Sequence, residues 1–331
     1  MRAPIRLIAV AAALLVTAAA LPASGKERPR VGVLFWHDSP NDREAFAGVR
    51  DGFSLAGLDP IFEVVEARGD DAAAKAALGD FQARSVDLVY AMGTGSALRA
   101  RDAVTKTPVV FTAVTDPVGS GVVASLDGSG RNLCGNGSGV DPAAALVLFR
   151  AALPGLTVLA VVHDPANPVS RSEVESMRRA GEALSPPVRL RVREEAAAAM
   201  RGPGGVREAC AAALLGADAL WIPIDIEVYS RADQAAEAAA AVRKPVFTTA
   251  AAAARTAACV CLTADLRSVG RSSVVLAVRA LRGEDPGKMP VSRPRSARVV
   301  LNLEAALRTG FELPLSLIAG ADEFAGVAGG R

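Results

Sequence analysis

The chain is poor in the residue types that most often carry out catalysis or bind metals. Its 331 residues include only two histidines and four cysteines, and no two cysteines have the Cys-x-x-Cys spacing of a zinc or redox site. A Gly-x-Ser-x-Gly elbow, a His-Glu-x-x-His motif and a complete phosphate-binding loop are also missing. We therefore predict a protein that is not an enzyme and that has no metal site and no cofactor.

Excess charge of one sign is missing as well. Lys and Arg number 37 against 35 Asp and Glu, and aromatic residues make up 4% of the chain. Proteins that bind nucleic acids commonly carry a basic stripe, often with interleaved aromatic residues. The composition thus argues against a nucleic-acid partner.

The N-terminus has the three parts of a secretory signal peptide. A basic start, Met1–Arg6, precedes an apolar run, Leu7–Leu21, and the small residues of Pro22–Gly25 follow. We predict a signal peptide over residues 1–25, cleaved between Ala20 and Gly25, and a periplasmic or secreted protein; the alternative is an uncleaved membrane anchor. No cysteine lies near the cleavage site, so we expect no lipid anchor.

The four cysteines are Cys134, Cys210, Cys259 and Cys261. Cys259 and Cys261 are two residues apart in an apolar run, so both are expected on one face of a strand, where they are poorly placed to bond each other. An oxidising compartment permits disulfides, but the sequence favours buried free thiols.

One stretch combines a buried strand with polar groups at its end. Val109–Val114 is rich in β-branched residues, which is typical of a strand buried on both faces. Thr115, Asp116 and Pro117 follow directly. In open α/β sheets, ligands bind outside the carboxyl ends of the strands. The cluster therefore predicts a ligand site, with a plain turn as the alternative.

The two histidines lie in similar surroundings about 130 residues apart. His37 and His163 each end a hydrophobic strand and precede Asp, Pro and Asn. Two further segments of the first half have counterparts in the same order in the second: Val86–Ala91 with Ala217–Ile222, and Pro108–Thr112 with Pro245–Thr248. Repetition on this scale indicates two similar domains.

Strand and helix patterns alternate in both halves, which is typical of a parallel sheet with helices on both faces. Strands are predicted near 31–36, 61–66, 86–91, 108–113, 157–162, 188–193, 218–223 and 245–248. Helices are predicted near 42–56, 71–84, 96–104, 169–184, 204–215 and 230–242. The fold class is thus α/β, with two Rossmann-like lobes facing each other across a cleft.

The chain is expected to pass between the lobes several times, which would form a hinge. We expect lobe I to comprise residues 27–137 and about 262–284, and lobe II to comprise 138–261 and about 285–331. The crossings are predicted near Gly130–Val140, Cys261–Asp265 and Gly283–Pro294.

Seven segments of the chain together resemble a known family. They are Pro108–Gly121, Gly130–Asn132, Leu153–Pro154, His163–Asn167, Ile222–Asp225, Val300–Leu303 and Gly310–Pro314. In these segments the chain resembles ABC transporter substrate-binding proteins of the tryptophan/tyrosine type, which have the periplasmic-binding-protein-like type I fold. The segment Thr115–Gly121 is the most specific of the matches.

The resemblance implies that the protein captures a small solute, often an amino acid, and delivers it to an ABC permease in the inner membrane. Two departures stand out. The family usually has a polar, glycine-containing ligand loop where this chain has Thr248–Thr256, which is mostly alanine. The lipid-anchor cysteine is missing, which indicates a freely diffusing protein. We also expect the protein to be a monomer.

Eleven residues are candidates for contact with the ligand. They are Trp36, His37, Thr94, Gly95, Ser96, Thr112, Thr115, Asp116, Asn167, Ser170 and Asp225. Backbone N–H groups at Gly93–Ala97 suit a carboxylate or a phosphate, and Asp116 and Asp225 suit an ammonium group. The alternative is that the polar residues only cap helices and that Trp36 and His37 belong to the core or rim.

Two other functions remain open from the sequence. One is a sensory module that reports its ligand to a membrane receptor, and the other is a secreted hydrolase of similar fold. A solute-binding component of an ABC transporter is the function that the sequence favours.

Overall fold

The computed structural model describes residues 28–294 and 297–326, so the expected signal peptide lies outside the described residues. The strands are β1 (Arg30–Phe35), β2 (Ile61–Glu66), β3 (Leu88–Met92), β4 (Val109–Val114), β5 (Leu133–Gly137), β6 (Val158–His163), β7 (Arg189–Glu194), β8 (Ala219–Ile222), β9 (Val246–Thr248), β10 (Val260–Ala264), β11 (Ala297–Asn302) and β12 (Glu323–Ala325).

The helices lie between these strands. They are α1 (Pro40–Leu55), α2 (Asp71–Ala83), α3 (Gly93–Ala103), α4 (Pro142–Ala152), α5 (Pro168–Ala183), α6 (Ala197–Met200), α7 (Gly205–Ala213), α8 (Ile226–Tyr229), α9 (Ala232–Ala241), α10 (Ala251–Ala254), α11 (Leu266–Leu281), α12 (Leu303–Thr309) and α13 (Leu315–Ala319). The eight strands and six helices predicted from the sequence are all present, each within a few residues of its expected bounds.

Lobe I contains a parallel five-stranded sheet in the order β2-β1-β3-β4-β5. Helices α1 and α11 cover one face of this sheet, and α2 and α3 cover the other. Helix α11 returns from lobe II and packs very closely on α1, because Gly270 lets the backbones meet. A Cβ atom added at Gly270 would lie 1.8 Å from the carbonyl oxygen of Ala45.

Lobe II contains a seven-stranded sheet in the order β12-β11-β10-β9-β8-β6-β7. All neighbouring strands are parallel except β10 and β11, which are antiparallel. Helices α7 and α9 cover one face and α4, α5 and α12 cover the other, with Trp221 and Phe247 fully buried between the sheet and the second group. The expected two-lobed α/β architecture is confirmed.

The chain passes between the lobes three times, and the contacts move two of the expected boundaries. Val260–Ala264 pairs within the second sheet, because β10 lies between β9 and β11. Met289 and Val291 are buried in the core of lobe I, and Ser292 forms a bridge with Asn136 beside β5. We therefore propose that lobe I comprises residues 28–137 and about 265–292, and that lobe II comprises 138–264 and about 297–326.

The described part of the chain has no helix long and apolar enough to span a bilayer. The four cysteines are buried in the hydrophobic cores as free thiols. Burial raises the pKa of the Cys210 thiol to about 12, so this thiol is protonated and unreactive at neutral pH.

Ala113 in β4 has a backbone conformation that strains any residue except glycine. Its φ is +59°, at the place where the pairing of β4 with β5 shifts between Phe111 and Val114. A non-glycine residue in the left-handed region costs about 1–2 kcal/mol. The strain lies at the cleft, because Ala113 contributes to its wall.

We expect Ala113→Gly to raise the free energy of unfolding by about 0.5–1 kcal/mol. Glycine relieves the backbone strain of the folded state, but it also increases the conformational entropy of the unfolded chain, which offsets part of the stabilisation. Urea denaturation of the ligand-free protein measures the change. Ala91→Gly is the matched control: Ala91 is buried in the neighbouring strand β3 with ordinary φ, and there glycine should lower stability. Equal destabilisation by both substitutions would contradict the prediction.

Candidate ligand site between the lobes

A cavity of about 300 Å³ lies between the two lobes. Its lobe I wall is formed by residues at the carboxyl ends of β1, β3 and β4 and at the start of α1 and α3. Its lobe II wall is formed by the segments that follow β6, β7, β8 and β9. This is the position at which parallel α/β sheets bind ligands, and the size suits a small organic molecule.

The first turn of α3 lies at the edge of this cavity and has no side-chain cap. The helix begins directly after β3, Met92 precedes it without a side-chain cap, and Thr94 and Gly95 line the cavity. The first four N–H groups of a helix have no partner within the helix, and the helix dipole adds partial positive charge there. The first turn of α3 can therefore hold a carboxylate or another anion.

Asp42 lies beside this helix start, in the first turn of α1. A Cβ atom added at Gly93 would lie 2.8 Å from Asp42 Oδ1, so the carboxylate covers the first residue of α3. Burial raises the pKa of Asp42 to about 7. Within the described residues, no side chain forms an ion pair with Asp42. A carboxylate held this way is suited to a ligand cation.

Trp36 and His37 follow β1 and line the cavity. The Trp36 ring packs on Gly95, where an added Cβ atom would lie 2.3 Å from Trp36 Cδ1. The Arg99 guanidinium lies 3.3 Å from the ring centroid in a cation–π contact, which occupies one face of the indole. Burial lowers the pKa of His37, against the opposing effect of Glu227, so His37 is neutral at pH 7.

The lobe II wall carries both polar and charged groups. Asn167 caps α5 by accepting a hydrogen bond from the Val169 N–H at 3.0 Å. Arg201 and Glu227 line the cavity and form an ion pair of 2.5 Å. Arg231 contacts the other Glu227 oxygen at 3.0 Å, so the Glu227 carboxylate is neutralised within the wall.

Buried hydrogen bonds behind this wall fix the loops that follow β8 and β9. Glu173 accepts hydrogen bonds from the Thr249 hydroxyl and, at 2.6 Å, from the Ile224 N–H. Trp221 Nε1 donates to Thr249 Oγ1 at 3.2 Å. Burial raises the pKa of Glu173 to about 7. Because Ile224 and Thr249 line the cavity, the network positions one side of the site.

The structure brings together six of the eleven residues predicted from the sequence. The six that line the cavity are Trp36, His37, Thr94, Gly95, Thr115 and Asn167. They come from both lobes, so the expectation that strand ends converge on one cleft agrees with their placement. Contact between any of these residues and a ligand remains a prediction.

The other five predicted residues lie outside the cavity lining, each for a local reason. Ser96 is buried within α3, and its hydroxyl has no hydrogen-bond partner in the described part of the chain. Thr112 donates to Asn136 Oδ1 inside lobe I at 2.7 Å. Ser170 is buried and turns back to the Asp164 carbonyl. Asp225 is fully buried and accepts from the N–H groups of Asp164 and Glu227.

Asp116 is the fifth, and it contacts the opposite lobe instead of the cavity. Asp116 Oδ1 accepts from the Gly119 N–H at 2.9 Å, and Oδ2 accepts from Ser172 Oγ on α5 at 2.7 Å. Gly119 permits this approach, because an added Cβ atom would lie 2.3 Å from Ser172 Oγ. A second hydrogen bond between the lobes joins Ser39 Oγ and Tyr229 OH at 3.1 Å.

We expect Ser172→Ala to weaken ligand binding about fivefold, because loss of one hydrogen bond between the lobes costs the closed form about 1 kcal/mol. Calorimetry with the tightest-binding amino acid measures the change. Ser176→Ala, one turn further along α5 and partly exposed, should leave affinity unchanged. A loss of a hundredfold or more in Ser172→Ala would indicate direct ligand contact at this position.

Sequence reasoning missed the charged residues of the cavity lining. The cavity is also lined by Asp42, Arg99, Asp164, Arg201 and Glu227, none of which was predicted. Asp42 could have been predicted from its position, because it lies at the start of the helix that follows β1. Thr94 and Asn167 were predicted from similar positions at helix starts that follow a strand. Among the described residues, no group of three or more His, Cys, Asp or Glu side chains is arranged to hold a metal ion.

Comparison with known proteins identifies the chain's relatives. The family model described as "ABC transporter substrate binding protein" matches residues 30–325. A tyrosine-binding protein of Clostridioides difficile is 23% identical over 255 residues, which cover 77% of this chain and 70% of the relative.

Solved structures show the same fold. A conserved domain protein of Vibrio cholerae superposes with a TM-score of 0.82 at 24% identity, over 90% of this chain and 100% of that one. A domain from Streptococcus pneumoniae, solved in complex with L-Trp, has a TM-score of 0.79 at 21% identity, over 89% of this chain and 99% of that one. The chain therefore belongs to the ABC transporter substrate-binding protein family, as its resemblance implied, and has the type I fold of periplasmic binding proteins.

Proposed function

We propose that this protein captures an α-amino acid between its lobes and delivers it to an ABC permease of the inner membrane. The observation that carries the proposal is the pairing of two unmatched groups of opposite sign. The Asp42 carboxylate and the uncapped first turn of α3 lie side by side in the cavity lining.

An α-amino acid carries an ammonium and a carboxylate on the same carbon atom. Asp42 would accept hydrogen bonds from the ammonium, and the N–H groups of Thr94 and Gly95 would donate to the carboxylate. Both groups of the protein belong to lobe I, so the ligand's head group would bind this lobe first. Lobe II would then close over it through Asn167 and the loops that Glu173 positions.

The relatives support the same class of ligand. One is named as a tyrosine-binding protein and another was solved with L-Trp. We further propose that the protein is a periplasmic monomer, released by cleavage of the N-terminal signal peptide, and that it binds its ligand without chemical turnover.

Isothermal titration calorimetry of the purified protein with the twenty standard L-amino acids tests the proposal. At least one should bind, and at a hundredfold excess over Kd it should stabilise the folded protein by about 2.7 kcal/mol. The best ligand is then compared with the amine that lacks its carboxylate and with the acid that lacks its ammonium. Both analogues should bind at least tenfold more weakly. Binding of either analogue as tightly as the amino acid would refute the head-group assignment.

A further inference from the structure

A second cavity adjoins the first at the alanine-rich segment of lobe II. It has a volume of about 270 Å³, and it shares Asn41, Ala251, Thr263 and Leu266 with the main cavity. Ala251 begins the four-residue helix α10, which consists of alanine alone. Because the side chain of Ala251 is only a methyl group, it takes up little room between the two cavities.

The second cavity is lined by charged side chains near the hinge. It contains three acidic residues, Glu44, Asp265 and Glu323, and two arginines, Arg255 and Arg298. Both arginines pair with Glu323, at 3.0 Å and 3.2 Å. Asp265 accepts hydrogen bonds from Ser268 at the start of α11. The acidic residues therefore exceed the arginines by one.

Glu44 is the carboxylate that these interactions leave unmatched. It lies in the first turns of α1, and within the described residues no cation lies close enough to form an ion pair with it. The charge of Glu44 helps to raise the pKa values of Arg255 and Arg267, but their ion pairs are with other carboxylates, Arg255 with Glu323 and Arg267 with Asp51. The Asn41 amide lies at the shared wall, also without a side-chain hydrogen bond in the described part.

We propose that the two cavities form one elongated site for an α-amino acid whose long side chain ends in a cation. The inference rests on the proposed function: the head group binds at Asp42 and α3, the side chain passes Ala251, and its terminal ammonium or guanidinium reaches Glu44. Asn41 precedes Asp42 in the sequence and lines both cavities, so the second cavity adjoins the part of the main cavity that holds the head group.

Matched pairs of ligands test the charge at the far end. L-lysine and L-norleucine differ in the terminal ammonium, and L-arginine and L-citrulline differ in the charge of the terminal group. We expect L-lysine or L-arginine to bind at least tenfold more tightly than its neutral counterpart. In Glu44→Gln this preference should fall below threefold, while the affinity for the neutral counterpart stays within twofold.

Ala251→Leu tests the passage between the cavities. Leucine is a good helix former, and its larger side chain would fill the space between the two cavities, so the basic amino acid should lose at least tenfold in affinity. Ala240→Leu, at a partly buried alanine on α9 away from both cavities, should leave the affinity for the basic amino acid unchanged.

The outcomes separate this inference from the proposed function. Tighter binding of an aromatic or short amino acid than of L-lysine and L-arginine overturns the inference and leaves amino-acid capture standing. Unchanged binding of the basic ligand in both Glu44→Gln and Ala251→Leu also overturns it. If no amino acid binds the wild-type protein, both proposals fail.

Discussion

The amino acid should bind the Asp42→Asn variant about 100-fold more weakly than wild type, a loss of about 2.7 kcal/mol. Asparagine has nearly the same shape as aspartate but carries no charge, so the ligand ammonium would lie in a partly buried site without its counter-ion. The loss should fall on ligands that carry an α-ammonium group, and the deaminated acid should bind both proteins with similar affinity. Calorimetric titration of both proteins with both ligands measures the difference.

The same substitution should stabilise the ligand-free protein at pH 8. A loss of affinity in Asp42→Asn could then not be attributed to a loss of folded protein. Burial raises the pKa of Asp42 from 3.8 to about 7. Between these values the folded protein holds a proton that the unfolded chain has lost, so the free energy of unfolding falls as the pH rises through this window. Asp42→Asn removes that penalty. Its Tm should exceed the wild-type Tm at pH 8, and the difference should shrink toward pH 4.

Asp38→Asn is the control for charge alone. Asp38 lies four residues from Asp42 in the sequence, is exposed, and pairs with Arg43 outside the cavity lining. Removing this carboxylate should leave affinity within twofold of wild type. If Asp42→Asn binds the amino acid normally, or if both variants lose affinity equally, Asp42 is not the ammonium-binding residue.

Much of the fold could be predicted because its signals are local. The hydrophobic runs of β1, β3, β4 and β6 are buried on both faces and bounded by turn residues, so the sequence shows both their type and their extent. The duplicated His-Asp segments further indicated two lobes. Strand β10 was harder: its residues were expected to lead out of lobe II, but they pair with β9 and β11 inside its sheet. Such pairing depends on distant segments.

The site could be predicted only in part, for a similar reason. Six of the eleven residues predicted from the sequence line the cavity, but a sequence does not show which way each side chain points. Asp116 turns toward Ser172 on the other lobe, whereas Asp42 turns toward Gly93 and the cavity. Both are aspartates that follow a strand of lobe I. The difference depends on tertiary packing: α5 places Ser172 next to Asp116, and α1 places Asp42 next to the start of α3.

The proposed function makes binding depend strongly on pH. In the ligand-free protein Asp42 is half protonated near pH 7, because its pKa is raised to about 7 by burial. A bound ammonium favours the charged carboxylate, so the proton must leave when the amino acid binds. Each pH unit below 7 should therefore weaken binding about tenfold, and affinity at pH 5 should be about 100-fold lower than at pH 8. Above pH 7 the affinity should level off.

Two variants separate Asp42 from Glu173, another carboxyl group with a raised pKa. Burial also raises the pKa of Glu173 to about 7, but Glu173 lies behind the wall and contacts Thr249 and Ile224. Titrations between pH 5 and 8 should show that Asp42→Asn binds weakly with little pH dependence, because no carboxyl group at that position takes up a proton. Glu173→Gln should retain the slope of the wild type below pH 7. A flat wild-type profile, or a slope that disappears in Glu173→Gln and persists in Asp42→Asn, would assign the proton to a different group and remove the main electrostatic support for an ammonium at Asp42.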